Sequence, residues 1–131
     1  MNEKILLIIK NKDKYLLLKT RKQHDAKSEW FVVTGSVEVG ENNEQACRRE
    51  AKEETNLDIF NIMPLEIDYN YDWRGKNYHE TAYIAETNQK EVKLSIEHTD
   101  SRWVSLDNFI KLIVWHGDKI EFKNKILIIQ S

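Results

Sequence analysis

The stretch from Gly35 to Leu57, GSVEVGENNEQACRREAKEETNL, constrains the fold more than any other part of the chain. A loop from Gly35 to Gly40 feeds a segment with helical spacing that starts near Asn42 or Asn43. Either Asn can cap the helix, because its side-chain oxygen accepts a free first-turn N–H. The helix is predicted to run to about Asn56, since Asn tolerates the left-handed conformation that stops a helix, though less readily than Gly. Its apolar stripe is thin and made of small residues, Cys47, Ala51 and Thr55 with Ala46 beside it. Such a face sits close to a sheet but buries little area. The opposite face carries Glu50, Glu53 and Glu54 at i, i+3 and i+4. Like charges at this spacing cost roughly 0.2–0.5 kcal/mol per pair. Arg49 can offset Glu53, and Glu44 can offset Arg48. The Glu50–Glu54 pair has no such local relief, and a cation over that face would supply it.

The remainder reads as short strands and two later helices. Lys4–Lys10 and Tyr15–Lys19 are apolar nearly throughout, so both faces of each strand are expected to be covered. Asn11 to Lys14 reads as a hairpin turn between them. Thr20 to Ser28 is a polar, basic loop. Glu29–Thr34 is a third strand that delivers the chain to Gly35, and Ser36–Val39 suits a short strand. Asp58–Tyr71 reads as strand with a break at Pro64. Asp72 to Lys76 is a turn, and Asn77–Glu86 the return strand. Lys93–Ser95 suits extended chain, and Glu97–Ser105 leads into a strand centred on Trp103. Ser105 can cap a helix from about Leu106 to Trp115 that Gly117 ends. Asp118–Gln130 fits a helix better than a strand, although its β-branched residues allow either. Periodicity alone thus gives α+β or α/β.

Composition excludes some function classes. A chain of 131 residues suits one domain with one core, residues 1–131. The net charge of −2 provides no global basic field for nucleic acid, so no nucleic-acid partner is expected. Cys47 is the sole cysteine, which rules out an intrachain disulfide and suits a small packed apolar group. No signal peptide and no long apolar span is legible, so the expectation is a soluble cytoplasmic protein with no membrane contact.

Three clustered glutamates alone suit a solvated helix face. The upstream spacing changes that reading. Gly35, Glu41, Arg49, Glu50, Glu53 and Glu54, with Ala51 and Leu57 at the apolar positions, fit G-x5-E-x7-R-E-U-x-E-E-x-G-U, where U is apolar. The chain therefore resembles the Nudix hydrolases. It departs from their pattern at Asn56, where the family has Gly, and at Thr34, where most members have a second Gly. The segments TGSVE, EHTDSRWVS and KLIVWHGDK are similar to those of the branch that hydrolyses dATP and dihydroneopterin triphosphate. The resemblance implies an α/β fold, a mixed β-sheet in an α/β/α sandwich whose acidic helix lines a cleft.

It also implies the chemistry. A polyphosphate anhydride resists hydrolysis because water must approach negative oxygens. A divalent metal neutralises them and lowers the pKa of water. Mg²⁺, with Mn²⁺ able to substitute, takes oxygen ligands. By resemblance Glu50, Glu53 and Glu54 bind metal, and Glu97 adds a further ligand or a general base. A loop carbonyl near Thr34–Gly35 can complete the metal shell. Glu41 and Arg49 form an ion pair that ties the loop to the helix and orients Glu53. Glu38 suits either another ligand or a plain turn. His98 suits loop stabilisation better than catalysis.

Lys19, Arg21 and Lys22 follow the second strand and can reach phosphates, with Arg21 offering a fork. Trp30 and the Tyr69, Tyr71, Trp73 and Tyr78 cluster suit stacking on a base or pterin ring, or a sheet surface or dimer contact. The expected partner is a small nucleoside or pterin polyphosphate. A dinucleoside polyphosphate hydrolase and a non-catalytic nucleotide-binding module stay open. The oligomeric state is not legible.

Overall fold

The computed structural model describes residues 2–21 and 28–130. Among these, seven strands form one mixed sheet: β1 (Asn2–Asn11), β2 (Lys14–Thr20), β3 (Trp30–Phe31), β4 (Val33–Ser36), β5 (Phe60–Trp73), β6 (Lys76–Glu86) and β7 (His98–Val104). Three helices join them: α1 (Asn43–Thr55), α2 (Leu106–Leu112) and α3 (Lys119–Gln130). The β1–β6 pair is parallel, and the other strand pairs are antiparallel.

The apolar runs in β1 and β2 explain the layers. Ile5 to Ile9 and Leu16 to Leu18 are all buried. Alternation sends Ile5, Leu7, Ile9, Leu16 and Leu18 to one side, against Ala46, Cys47 and Ala51 of α1. Leu6, Ile8, Tyr15 and Leu17 go to the other side, against Phe109 of α2 and Phe122 and Ile126 of α3. The sheet is thus covered on both faces, as the α/β/α sandwich requires.

One reading is corrected where it matters for the site. Glu29–Thr34 is not one strand. β1 and β2 pair only beside their turn, at Lys10–Tyr15 and Asn11–Lys14, and then splay apart. The incoming chain fills the gap, pairing first with β2 through β3 and then with β1 through β4. Val32 is the point where it changes partner. β4 ends at Ser36, so Val37 to Gly40 form loop rather than the short strand expected over Ser36–Val39.

Three smaller corrections share a cause, tertiary contacts that local signals do not carry. Pro64 does not end β5, because β5 lies at the sheet edge, where a missing donor is tolerated. The irregularity is taken up by Asn61 and Glu66, at φ 52° and 55°, and by two shifts in register. α2 stops at Leu112, well before Gly117, because Val114 N–H donates to the Trp30 carbonyl at 3.0 Å and draws the chain off the helix. Lys93–Ser95 forms no strand; Lys93 and Ser95 N–H donate instead to the carbonyls of Thr55 and Glu54 at 3.0 and 3.2 Å. The final segment is helical, as α3.

α1 begins and ends as its sequence predicts. Asn42 accepts from Gln45 N–H at 2.8 Å, and the Gln45 side chain accepts from Asn42 N–H at 2.8 Å. Asn56 takes φ 62°, and its N–H donates to the Lys52 carbonyl. The left-handed conformation costs most L-residues roughly 1–2 kcal/mol. Asn56→Ala is therefore expected to lower unfolding stability by about that amount and Asn56→Gly to leave it unchanged or higher, as read by urea denaturation. Equal stability of the two variants would refute the assignment of this cap.

Candidate metal and catalytic site

The small residues Ala46, Cys47 and Ala51 let α1 lie close on β1 and β4, and this proximity builds the site. The first consequence is at Gly35. A Cβ there would fall inside the side chain of Glu50, against its carboxyl carbon and Oε1. A side chain at Gly35 would displace the Glu50 carboxylate; the position favours glycine for that space, not for its backbone angles.

Arg49 is the hub of the loop–helix contact. Its Nε and Nη2 donate to the two Glu41 carboxylate oxygens at 2.8 and 2.9 Å. Nη2 also donates to the Ser36 carbonyl at 2.8 Å. Nη1 donates to Glu50 Oε1 at 2.7 Å and to Glu53 Oε2 at 3.2 Å. A guanidinium has five N–H donors, and these five bonds use as many. Glu41 in turn accepts from Glu38 N–H at 3.0 Å, which closes the turn before the helix. The Arg49 bonds, chiefly, hold the Glu41 carboxyl down at about 2. Glu38 itself is exposed and lies 3.8 Å from Arg49. The structure also corrects the expectation that Glu50 has no local relief, since Arg49 reaches back to it.

Glu54 is different. It was expected on the exposed side of the helix, yet only 3% of it is accessible, and its Oε2 is buried with no hydrogen-bond partner. The cause is the segment laid across the end of α1 by the Lys93 and Ser95 bonds, which brings Glu97 and His98 onto it. One donor atom each of Glu54, Glu97 and His98 lies within 4.8 Å of the others. Burial first, then a side-chain hydrogen bond shared with Glu50 and the charges of Glu50, Glu97 and Glu53, pushes the Glu54 carboxyl up to about 10. His98 is buried as well; among the described residues its Nδ1 has no hydrogen-bond partner, and burial lowers its pKa. Two buried, unpartnered donor atoms in an acidic cluster fit a bound cation. Among the described residues the donors that converge are those of Glu54, Glu97 and His98, while the carboxylates of Glu50 and Glu53 are bonded to Arg49.

Arg21 stands beside this cluster. Its N–H donates to the Glu97 carbonyl at 3.1 Å, and its Nε donates to the Ile96 carbonyl at 2.6 Å. Lys22 lies outside the described residues. Lys19 and Trp30 are not with the carboxylates. Alternation along β2 places Lys19 on the α2–α3 side, where its Nζ lies 5.5 Å from the Trp30 ring centre. Arg102, which sequence reasoning missed, lies 4.9 Å from the same ring. Tyr71 stacks on Tyr78 with centroids 5.4 Å apart, and Tyr69 and Tyr71 both donate to the buried Glu80 carboxylate. On that side a cavity of about 400 Å³ is lined by Phe31, Ile67, Tyr69, Trp115 and Phe122, among others. His98 was read from the sequence as a loop-stabilising residue, and Trp115 lies within the KLIVWHGDK segment without being singled out.

A sequence model of the NUDIX domain matches residues 3–125. The NAD-capped RNA hydrolase NudC of Vibrio vulnificus is 30% identical over 104 residues, 79% of this chain but 38% of that protein. The dihydroneopterin triphosphate diphosphatase of Haemophilus influenzae is 27% identical over 126 residues, 85% of this chain and 78% of that protein. The crystal structure of a C. elegans Ap4A hydrolase binary complex is similar with a TM-score of 0.78 and 25% identity, over 99% of this chain and 98% of that chain. No helix among the described residues is long and apolar enough to cross a membrane.

The raised pKa of Glu54 has a measurable sign. The group ionises near 4.5 when unperturbed and near 10 in the fold. Between these values the folded protein keeps a proton that the unfolded chain releases, so rising pH destabilises the fold. In the presence of a chelator, the melting temperature is expected to fall from about pH 5 to about pH 9, and Glu54→Gln is expected to flatten that slope. Parallel slopes in differential scanning fluorimetry would show that another group is responsible.

Proposed function

Because the chain belongs to the NUDIX domain family, we propose that it is a metal-dependent hydrolase of a phosphoanhydride bond in a small nucleoside or pterin polyphosphate. The observation that carries this reading is the buried, unpartnered Oε2 of Glu54 in a cluster with Glu97, beside Glu50. A fold retains so costly an arrangement where a cation offsets it.

Glu50, Glu53, Glu54 and Glu97 would hold the ion, with Mg²⁺ or Mn²⁺ matching their oxygen donors. Such an ion, when bound, neutralises phosphate oxygens and makes water a stronger acid. The chain's own residues supply the positioning. Arg49 fixes Glu50 and Glu53 relative to the loop, and Gly35 keeps the Glu50 carboxylate against β4. Glu97 is exposed, and the carboxylate oxygen that it does not give to the ion takes the proton from the attacking water. Arg21 is exposed, and among the described residues its side chain bonds only the Ile96 carbonyl, which leaves guanidinium donors for phosphate oxygens of the leaving group.

The ring of the substrate occupies the aromatic cavity on the α2–α3 side. Its Phe31, Tyr69 and Trp115 lining suits a flat heterocycle. The match to the Haemophilus protein over most of both chains favours a pterin or nucleoside triphosphate. A dinucleoside polyphosphate is a second reading, favoured by the likeness to the C. elegans Ap4A hydrolase along nearly the whole of both chains. Trp30, flanked by Lys19 and Arg102, would then receive the far nucleotide.

Turnover on a panel of nucleoside triphosphates, dihydroneopterin triphosphate and dinucleoside tetraphosphates separates these readings. Hydrolysis is expected with Mg²⁺ and to be lost with chelator, and ¹⁸O-water with phosphorus NMR identifies the bond broken. Glu53→Gln is expected to lower kcat by roughly two to four orders of magnitude with an unchanged circular dichroism spectrum. Full activity of that variant, or nucleotide binding without turnover by the wild type, would defeat the proposal; the second outcome would point to a binding module.

A further inference from the structure

We propose that His98 is a nitrogen ligand of the bound metal, which makes this a mixed nitrogen–oxygen site selective for a transition ion of the Mn²⁺ or Co²⁺ class over Mg²⁺. The inference rests on the metal-dependent reading above and goes beyond its all-carboxylate ligand set.

His98 begins β7 and pairs in register with Thr20, just after a shift between Lys19 and Thr20. The shift places the imidazole on the α1 side, facing Glu54. The side chain is 93% enclosed, since 7% of it is accessible. A buried imidazole ordinarily has hydrogen-bond partners for its ring nitrogens. Here Nδ1 has none, and Nε2 lies 3.7 Å from Glu54 Oε1, beyond hydrogen-bond reach. The ring is therefore not held as a hydrogen-bonding partner of Glu54.

The same neighbourhood contains a second unpartnered atom, Glu54 Oε2. Donors of Glu54, Glu97 and His98 within 4.8 Å of one another suit a common ion, because ligands about 2.0–2.4 Å from one centre lie at most about 4.8 Å apart. An ion placed there gives the buried carboxyl of Glu54 and the buried imidazole of His98 a common partner. Imidazole suits transition ions, whereas Mg²⁺ favours oxygen and retains water. One nitrogen donor thus shifts preference without changing the carboxylates.

The test uses the full chain, stripped with chelator and loaded with MnCl₂. Pulsed electron paramagnetic resonance on bound Mn²⁺ is expected to show the coupling of one directly bound ¹⁴N, which becomes a ¹⁵N coupling on histidine labelling. His98→Asn is expected to abolish that coupling and to narrow the ratio of Mn²⁺ to Mg²⁺ affinity about tenfold or more, read by titration calorimetry. The wild-type spectrum stands alone should the variant fold poorly. Bound Mn²⁺ with no nitrogen coupling would overturn the role of His98 and leave the proposed hydrolase intact. No Mn²⁺ binding at millimolar concentration would overturn both.

Discussion

The contact between Arg49 and Glu41 holds the rest of the site in place. It joins the loop from Gly35 to the helix that follows, and it does so with a bidentate fork rather than a point charge. The pair is only partly exposed, with 22% of the Arg49 side chain and 14% of Glu41 accessible, so solvent competes less than at an open surface. Because the same guanidinium also meets Ser36, Glu50 and Glu53, its position fixes three acidic groups and a loop carbonyl at once. A lysine has three donors and no planar fork, so it could not make this set of bonds.

That joint works only because α1 lies close to the sheet. Large residues on the inner face would lift the helix and carry Glu50 away from Gly35. Ala46, Cys47 and Ala51 are all fully buried, and the glutamates follow from their small size. The splaying of β1 and β2 contributes the other half of the geometry. It opens the sheet where β3 gives way to β4, next to the loop that Arg49 clamps. The carboxylates of α1 lie on one face of the sheet and the aromatic cavity on the other.

Much of this was legible in the sequence, for identifiable reasons. Continuous apolar runs required a sheet covered on both faces, and Asn42 and Asn56 marked the ends of α1 by side-chain chemistry. The spacing of Gly35, Glu41, Arg49, Glu50, Glu53 and Glu54 encoded the local cluster, because these residues meet through one loop and one helix. What the sequence did not disclose depends on distant chain. Val32 reads as mid-strand until the separation of β1 and β2 is known. α2 ends early because of a bond to Trp30, far away in sequence. Glu54 reads as solvent-facing until the segment from Val92 to His98 is laid over it. Arg102 and Trp30 meet only because β7 and β3 flank the same strand, β2.

The burial of Glu54 also bears on why the acidic face persists. Glu50 and Glu53 are served by Arg49, so their repulsion is partly cancelled within the protein. Glu54 lies next to Glu50 and near Glu97, and its environment favours the neutral acid strongly enough to hold a proton well above neutral pH. A glutamine there would relieve that cost without changing the size of the side chain, which argues that stability alone does not account for the acid. A dication bound there would displace the proton and convert the repulsion into attraction, so a feature that weakens the metal-free fold would strengthen the loaded one. The buried end of α1 is thus the point at which the charge of the site is least balanced within the protein.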